Sequence, residues 1–240
     1  MIPLYERLEE LQVIQALPVE QAQPKVVQPV LSKEIEKKFF NLYQRIDTEL
    51  STVEHRVIEF ISSMKGEGSS SLIKEFGMFL ADQLNLSVLL FDAHRIRPQL
   101  GKRLSIHCSS GWDEVIVRQK PTWSAITQVG KRPLYITQAS SAASHEFAFI
   151  RSELVIDFIR NVKPAFHVIL VDSAPIWNGE EAIDISPIID GSILLVEAGK
   201  TKSVLVKKSI NYLKSNRTNV LGAVLNKREY PIPNWLYNRL

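Results

Sequence analysis

The sequence predicts an α/β fold, a mostly parallel, doubly wound sheet flanked by helices. Two observations lead to this fold class. Six short segments are continuously apolar rather than alternating, as strands buried on both faces are. Segments with the three- and four-residue apolar spacing of helices lie between several of them. In such sheets ligands bind beyond the carboxyl ends of the strands, so functional residues are expected at that edge.

The predicted elements follow an N-terminal extension. Residues 3–16 predict a short amphipathic helix, and the proline-containing stretch up to residue 31 predicts an extended linker. The extension is either packed on the domain or a docking helix on a tether, and the globular domain is expected to span 32–240. Strands are predicted at 56–62, 87–93, 133–137, 167–175, 191–199 and 220–226. Helices are predicted at 32–50, 70–84, 146–161 and 202–214.

Composition is that of an ordinary globular protein. The 240 residues are 45% hydrophobic and 23% charged, which argues against disorder, and the net charge of +3 is too small for a nucleic-acid-binding protein. Cys108 is the only cysteine, which excludes an internal disulfide and a cysteine-based metal site. No apolar run approaches the roughly 18 residues that span a bilayer, and the N-terminus lacks the apolar stretch of a signal peptide. A cytoplasmic protein is expected.

A glycine- and serine-rich turn follows the first predicted strand and opens the next helix. It consists of Gly66, Glu67, Gly68, Ser69, Ser70 and Ser71. Glycines let consecutive backbone N–H groups point inward, and a helix N-terminus carries partial positive charge, so an anion such as phosphate can bind there. Serine is also a good helix N-cap for purely structural reasons. This stretch by itself leaves both interpretations open.

Two aspartates stand at the ends of predicted strands. Asp92 ends the second strand and Asp172 ends the fourth. A carboxylate leaving a buried strand is costly unless it has a partner or a role. Opposite a phosphate-binding turn, Asp172 could hold Mg²⁺ through water, since Mg²⁺ keeps much of its hydration and takes one or two carboxylates. Asp92 could alternatively cap the turn that follows it.

With these stretches in place, the chain resembles the cytoplasmic P-loop domain of bacterial tyrosine autokinases of capsule and exopolysaccharide export, relatives of the MinD and ParA ATPases. The matching stretches are SSMKGEGSSS (62–71), VLLFDAHRIRP (88–98), VILVDSAP (168–175), IDGSILLVEAGKT (189–201) and NVLGAVLNK (219–227). The resemblance covers about residues 56–229. It implies a P-loop NTPase fold of the MinD/ParA type.

The resemblance also implies ligands and partners. ATP or ADP would contact residues 66–71 and Asn226. Mg²⁺ would be held by Ser70, Asp92 and Asp172, and the two aspartates would be catalytic in an active protein. The implied partner is a membrane-embedded polysaccharide chain-length or export protein at the inner face of the plasma membrane, with homo- or hetero-oligomers. Nucleic acid is not expected as a partner.

The departures from the family pattern fall on its chemistry. Ser69 stands where the family has the lysine that contacts the β- and γ-phosphates and offsets charge in the transition state. His94 stands where the family has a second acidic residue, and a neutral imidazole is a poor Mg²⁺ ligand. Loss of such charge stabilisation costs on the order of 10²–10³ in rate. The sequence therefore predicts a catalytically degenerate member that acts as a regulatory or scaffold component, in which nucleotide and Mg²⁺ binding are weakened.

Two alternatives remain open. The protein could be an active ATPase or tyrosine autokinase with a rearranged loop, in which Lys65 replaces the missing lysine. It could also be a MinD- or ParA-like positioning ATPase, which predicts salt-sensitive DNA binding or a basic amphipathic C-terminal helix. Two family features are missing from the sequence. The helix starting at Ser32 lacks the Glu–Arg–Arg oligomerisation pattern, and the tail has only Tyr230 and Tyr237 in place of a tyrosine cluster.

Overall fold

The structure is a computed structural model that describes residues 31–95, 97–140, 150–177 and 184–227. The predicted helix at 3–16, its linker and the two tail tyrosines lie outside these ranges. Within them, no helix combines the length and apolar character needed to cross a bilayer.

A seven-stranded sheet and six α-helices make up the described residues, together with three short 3₁₀ turns. The strands β1 to β7 span Arg56–Ser62, Val88–Asp92, Thr127–Gln128, Leu134–Thr137, Val168–Asp172, Gly191–Glu197 and Val220–Asn226. The helices α1 to α6 span Lys33–Glu49, Ser69–Leu84, Leu100–Leu104, Trp112–Val117, Ser152–Val162 and Ser203–Ser215. The 3₁₀ turns are Thr122–Ala125, Lys163–Ala165 and Ser186–Ile188.

The strand order is β3-β4-β2-β5-β1-β6-β7, and every neighbouring pair is parallel except β3 with β4. The predicted fold class and all six predicted strands are confirmed. The antiparallel β3 was not predicted, because two residues are too few to produce a periodic pattern. Helix α5 coincides with the second half of the helix predicted at 146–161, and residues 141–149 lie outside the described ranges.

The core has one apolar layer on each face of the sheet. Alternate residues of β2 show this arrangement: Leu90 packs in the layer that contains α1 and α2, whereas Leu89 and Phe91 pack in the layer that contains α4 and α5. All five β2 residues are buried. A strand covered on both sides is apolar at most positions, which is why the buried strands read as continuous hydrophobic runs. Strand β7 is also apolar, although its residues are partly or fully exposed.

Register brings the carboxyl ends of the central strands together. Strand β5 lies between β2 and β1, with Asp92 opposite Asp172 and Phe60 opposite Asp172. The glycine-rich turn leaves β1 at the same edge of the sheet. The two aspartates and the turn therefore meet, as expected from parallel strands.

Candidate functional site

The glycine-rich turn curves tightly between β1 and α2. Gly66 and Gly68 have φ angles of 91° and 98°, in a region that residues with a side chain rarely adopt. Gly68 is the N-cap of α2, so Ser69 and Ser70 lie in the first helical turn. The first N–H groups of a helix have no partner within it and are available to an anion.

A buried carboxylate holds the turn from inside. Glu67 is 2% exposed and accepts a hydrogen bond from the backbone N–H of Met64 at 3.0 Å. It also accepts from the Thr201 hydroxyl, which follows β6. The turn is thus attached to the neighbouring strand as well as to its own.

Two residues at the end of β7 hold the turn from outside. The side-chain amide of Asn226 donates to the Glu67 carbonyl at 2.8 Å, and the Lys227 ammonium donates to the Gly66 carbonyl. A Cβ on Gly68 would lie 2.5 Å from the Asn226 amide nitrogen. A side chain at position 68 would displace this amide from the Glu67 carbonyl, so glycine preserves the hydrogen bond between Asn226 and the turn.

Ser69 is directed into the site. Its hydroxyl donates to Asp172 Oδ1, and both side chains are buried. Burial raises the pKa of Asp172 to about 6, and the negative charge of Asp92 adds to the rise, while His94, Ser69 and Ser70 lower it. No hydrogen-bond donor among the described residues reaches the other oxygen, Asp172 Oδ2, which is also buried.

Asp92 organises the loop after β2. Its Oδ1 accepts the N–H of His94 at 3.0 Å. Its Oδ2 accepts the N–H groups of Gln99 and Leu100, at 2.7 and 2.9 Å. Since Leu100 begins α3, the carboxylate caps this short helix, which supports the structural interpretation of Asp92.

His94 lies against both aspartates. Its Nδ1 is 3.0 Å from Asp92 Oδ1 and 3.8 Å from Asp172 Oδ2, and its side chain is 13% exposed. The position that the family fills with a second carboxylate is therefore part of the site. In this chain it presents an imidazole nitrogen.

Of the remaining predicted residues, Ser70 lies beside Asp172 and Ser71 does not. The Ser70 hydroxyl is close enough to Asp172 to lower its pKa, whereas Ser71 accepts a hydrogen bond from Arg103 at 2.8 Å. Sequence reasoning missed Arg103, because only the folded chain brings it to Ser71. Lys65 is exposed and forms no hydrogen bond or ion pair with the described residues.

The chain is similar to bacterial tyrosine kinases over most of its length. It is 28% identical over 195 residues to the succinoglycan biosynthesis transport protein ExoP of Rhizobium meliloti, a match that covers 80% of this chain but 25% of ExoP. It is 21% identical to the tyrosine-protein kinase YwqD of Bacillus subtilis, covering 77% of this chain and 78% of YwqD. It is 23% identical to the tyrosine-protein kinase CpsD of Streptococcus agalactiae, covering 80% of this chain and 83% of CpsD. No protein-family profile matches the chain.

Solved structures of kinase domains and of MinD share the fold. The kinase domain of the Escherichia coli tyrosine kinase ETK superposes with a TM-score of 0.71 at 16% identity, over 97% of this chain and 98% of that domain. MinD of Pyrococcus horikoshii, solved with Mg-ADP, superposes with a TM-score of 0.63 at 18% identity, over 77% and 76% of the two chains. The resemblance inferred from the motifs is confirmed: the chain is a homologue of bacterial tyrosine kinases and has the P-loop fold of the MinD and ParA type.

Proposed function

We propose that this protein is a P-loop protein without catalytic activity that acts as a regulatory or scaffold component of exopolysaccharide or capsule biosynthesis. The observation that carries the proposal is the orientation of Ser69. Ser69 stands at the sequence position of the family's lysine, and its hydroxyl donates to Asp172 inside the site. Support for the process comes from ExoP, which is named for succinoglycan biosynthesis and transport.

The missing charge is the physical reason for inactivity. Phosphoryl transfer depends on positive groups that offset the charge of the transferred phosphate, and a hydroxyl supplies none. Two of the described cations near the turn have other contacts, whereas the exposed Lys65 forms no hydrogen bond or ion pair with the described residues and is the cation of the active-enzyme alternative. Arg103 donates to Ser71, and Lys227 is bonded to the Gly66 carbonyl and lies 3.3 Å from Glu197. Loss of one such stabilising group costs on the order of 10²–10³ in rate.

Nucleotide binding without turnover is compatible with the shape of the turn. A Cβ on Gly66 would meet nothing within 4 Å, so no described atom fills the space on that side of the turn. Backbone N–H groups at the start of α2 would hold a phosphate. Ser70 and Asp172, whose side chains lie close together, would hold Mg²⁺, the aspartate through water. Bound Mg²⁺ would neutralise phosphate charge.

The proposed location is the cytoplasm, at the inner face of the plasma membrane. The proposed partner is a membrane-embedded polysaccharide chain-length or export protein, with which this chain would form a hetero-oligomer. ExoP supports this partner class, since it is named as a transport protein and is longer than this chain.

Turnover measurements test the loss of catalysis. We expect purified protein with ATP and Mg²⁺ to show hydrolysis and tyrosine autophosphorylation no higher than its Asp172→Asn variant. CpsD of Streptococcus agalactiae, assayed in parallel, is the positive control. Magnesium-dependent turnover that Asp172→Asn abolishes would establish the alternative of an active kinase or ATPase.

A genetic experiment tests the scaffold role. Deletion of the gene in its own organism should lower polysaccharide output, and wild-type protein should restore it. Ser70→Ala should restore it equally, because the proposed role does not use the serine that would hold Mg²⁺ at the nucleotide. A folded Ser70→Ala protein that fails to restore output would contradict the scaffold role.

A further inference from the structure

We propose that Asp92, His94 and Asp172 form a binding site for a divalent transition-metal ion of the zinc type, independent of nucleotide. The inference goes beyond the proposed function and does not depend on it. It rests on the separations of three ligand atoms, on one buried carboxylate oxygen and on the two departures from the family pattern.

The three ligand atoms have the separations of a coordination sphere. Asp92 Oδ1 and His94 Nδ1 are 3.0 Å apart, and His94 Nδ1 and Asp172 Oδ2 are 3.8 Å apart. One ligand atom from each residue lies within 4.8 Å of the others. Zinc–nitrogen and zinc–oxygen bonds of about 2.0–2.2 Å place two ligands of a tetrahedral site about 3.3 Å apart. Small side-chain rotations would therefore complete the site.

The buried oxygen of Asp172 points to a cation. The side chain is fully buried, and its Oδ1 already accepts the Ser69 hydroxyl. Its Oδ2 faces His94 and has no hydrogen-bond donor among the described residues. A buried carboxylate oxygen without a partner is costly, and a bound cation would supply that partner.

Asp92 can offer a ligand bond where its carboxylate now shares a proton with His94. A carboxylate has about four lone-pair sites. Three of them accept backbone N–H groups, from His94, Gln99 and Leu100. The fourth, on Oδ1, is hydrogen-bonded to His94 Nδ1 at 3.0 Å, and a metal ion that replaces the shared proton would bind both atoms. These N–H bonds hold the oxygen in place, as hydrogen bonds around metal ligands do in established sites.

The two departures from the family pattern favour the same kind of ion. Serine in place of lysine at position 69 removes a positive charge that would repel a cation bound to Asp172. Histidine at position 94 supplies an imidazole nitrogen, which zinc and its neighbours bind well and Mg²⁺ binds poorly. Two carboxylates balance a doubly charged ion, and three protein ligands leave a position open for water or an anion.

Metal titration of the full-length, untagged protein tests the site. After EDTA treatment and dialysis, Co²⁺ is followed by visible absorption and Zn²⁺ by calorimetry, without nucleotide. We expect one equivalent to bind and excess Mg²⁺ not to displace it. His94→Ala should weaken binding by at least about 100-fold. Loss of a residue that only hydrogen-bonds to a metal ligand costs about 10–100-fold in affinity, and loss of a ligand itself should cost more.

Two controls separate this site from other ligands. His107→Ala removes an exposed imidazole elsewhere and should leave the affinity unchanged. Cys108→Ser should also leave it unchanged, since the Cys108 thiol is not among the ligand atoms that lie within 4.8 Å of one another. Circular dichroism would verify that each variant is folded.

The His94→Asp variant provides the decisive comparison. It restores the acidic residue of the family pattern, so it should fold even if His94→Ala does not, and Mg²⁺ should then compete with Co²⁺ and Zn²⁺. Three results would overturn the inference: no Co²⁺ binding by the wild type, equal binding by His94→Ala, or displacement of Co²⁺ from the wild type by Mg²⁺. None of these three results would change the conclusion about ATP turnover, which is measured separately.

Discussion

Glu59 is a buried carboxyl group in the central strand β1. Its Oε1 accepts a hydrogen bond from the Ser173 hydroxyl at 2.7 Å, and its Oε2 accepts one from the Ser192 hydroxyl at 2.5 Å. Burial raises the pKa of Glu59 above its ordinary value, although both serine contacts lower it. The net rise indicates that desolvation outweighs the two hydrogen bonds.

This raised pKa predicts how stability depends on pH. The folded chain keeps the Glu59 proton at pH values where the unfolded chain, with its ordinary pKa near 4.5, has lost it. The free energy of unfolding should therefore fall as the pH rises above 4.5, until the raised pKa is passed.

Glu59→Gln should make this decrease smaller, because glutamine does not titrate, and should leave the part that the raised pKa of Asp172 contributes. Urea denaturation between pH 4 and 8, with EDTA present, measures it, and the exposed Glu49→Gln is the matched control. A Glu59→Gln protein with the same pH dependence as the wild type would show that Glu59 is ionised in the fold.

At the scale of elements, the phosphate turn depends on strands distant in sequence. Asn226, 159 residues from Glu67, donates a hydrogen bond to the turn beside Gly68, and Thr201, after the end of β6, donates one to the Glu67 carboxylate. A turn fixed in this way is pre-organised and does not need a ligand to define its shape.

The two glycines of the turn allow a paired prediction. Ala at either position has an unfavourable positive φ, which costs about 1–2 kcal/mol. Gly68→Ala should lower the free energy of unfolding more than Gly66→Ala. A Cβ at position 68 would also lie 2.5 Å from the Asn226 amide nitrogen, whereas a Cβ at position 66 would meet no atom within 4 Å. Urea denaturation of both variants measures the difference. Equal losses would mean that Asn226 does not press on the turn.

At the scale of the whole molecule, stability comes from two apolar layers separated by the sheet. Phe76 on α2 is fully buried. The centroid of its ring lies 5.5 Å from the ring centroid of Phe39 on α1 and 5.9 Å from that of Phe60 on β1. These contacts join two helices to the central strand.

Truncation of this ring should destabilise the entire domain. Phe76→Ala is expected to lower the free energy of unfolding by about 3–5 kcal/mol, since it removes buried surface and leaves a cavity. Phe40→Ala on α1, where the ring is 42% exposed, should cost about 0.5 kcal/mol or less. Calorimetry or urea denaturation measures both. Similar losses for the two variants would contradict the assignment of α1 and α2 to one core layer.

Local patterns determined the order and type of the main elements. The buried strands could be predicted because a strand covered on both faces is largely apolar, as in VLLFD of β2. Strand β7 was predicted from the same apolar pattern, although its residues are partly or fully exposed in the structure. The convergence of Asp92 and Asp172 was also predictable, because parallel strands present their carboxyl ends at one edge.

Only the tertiary structure decided what the site residues contact. Ser69 and Asp172 are 103 residues apart, and nothing in either local sequence shows that the hydroxyl donates to the carboxylate. The same holds for His94, whose identity is evident from the sequence but whose position between two carboxylates depends on the register of β2 and β5. Hydrogen bonds and charge interactions act over a few ångströms of space, and those distances exist only after the chain has folded.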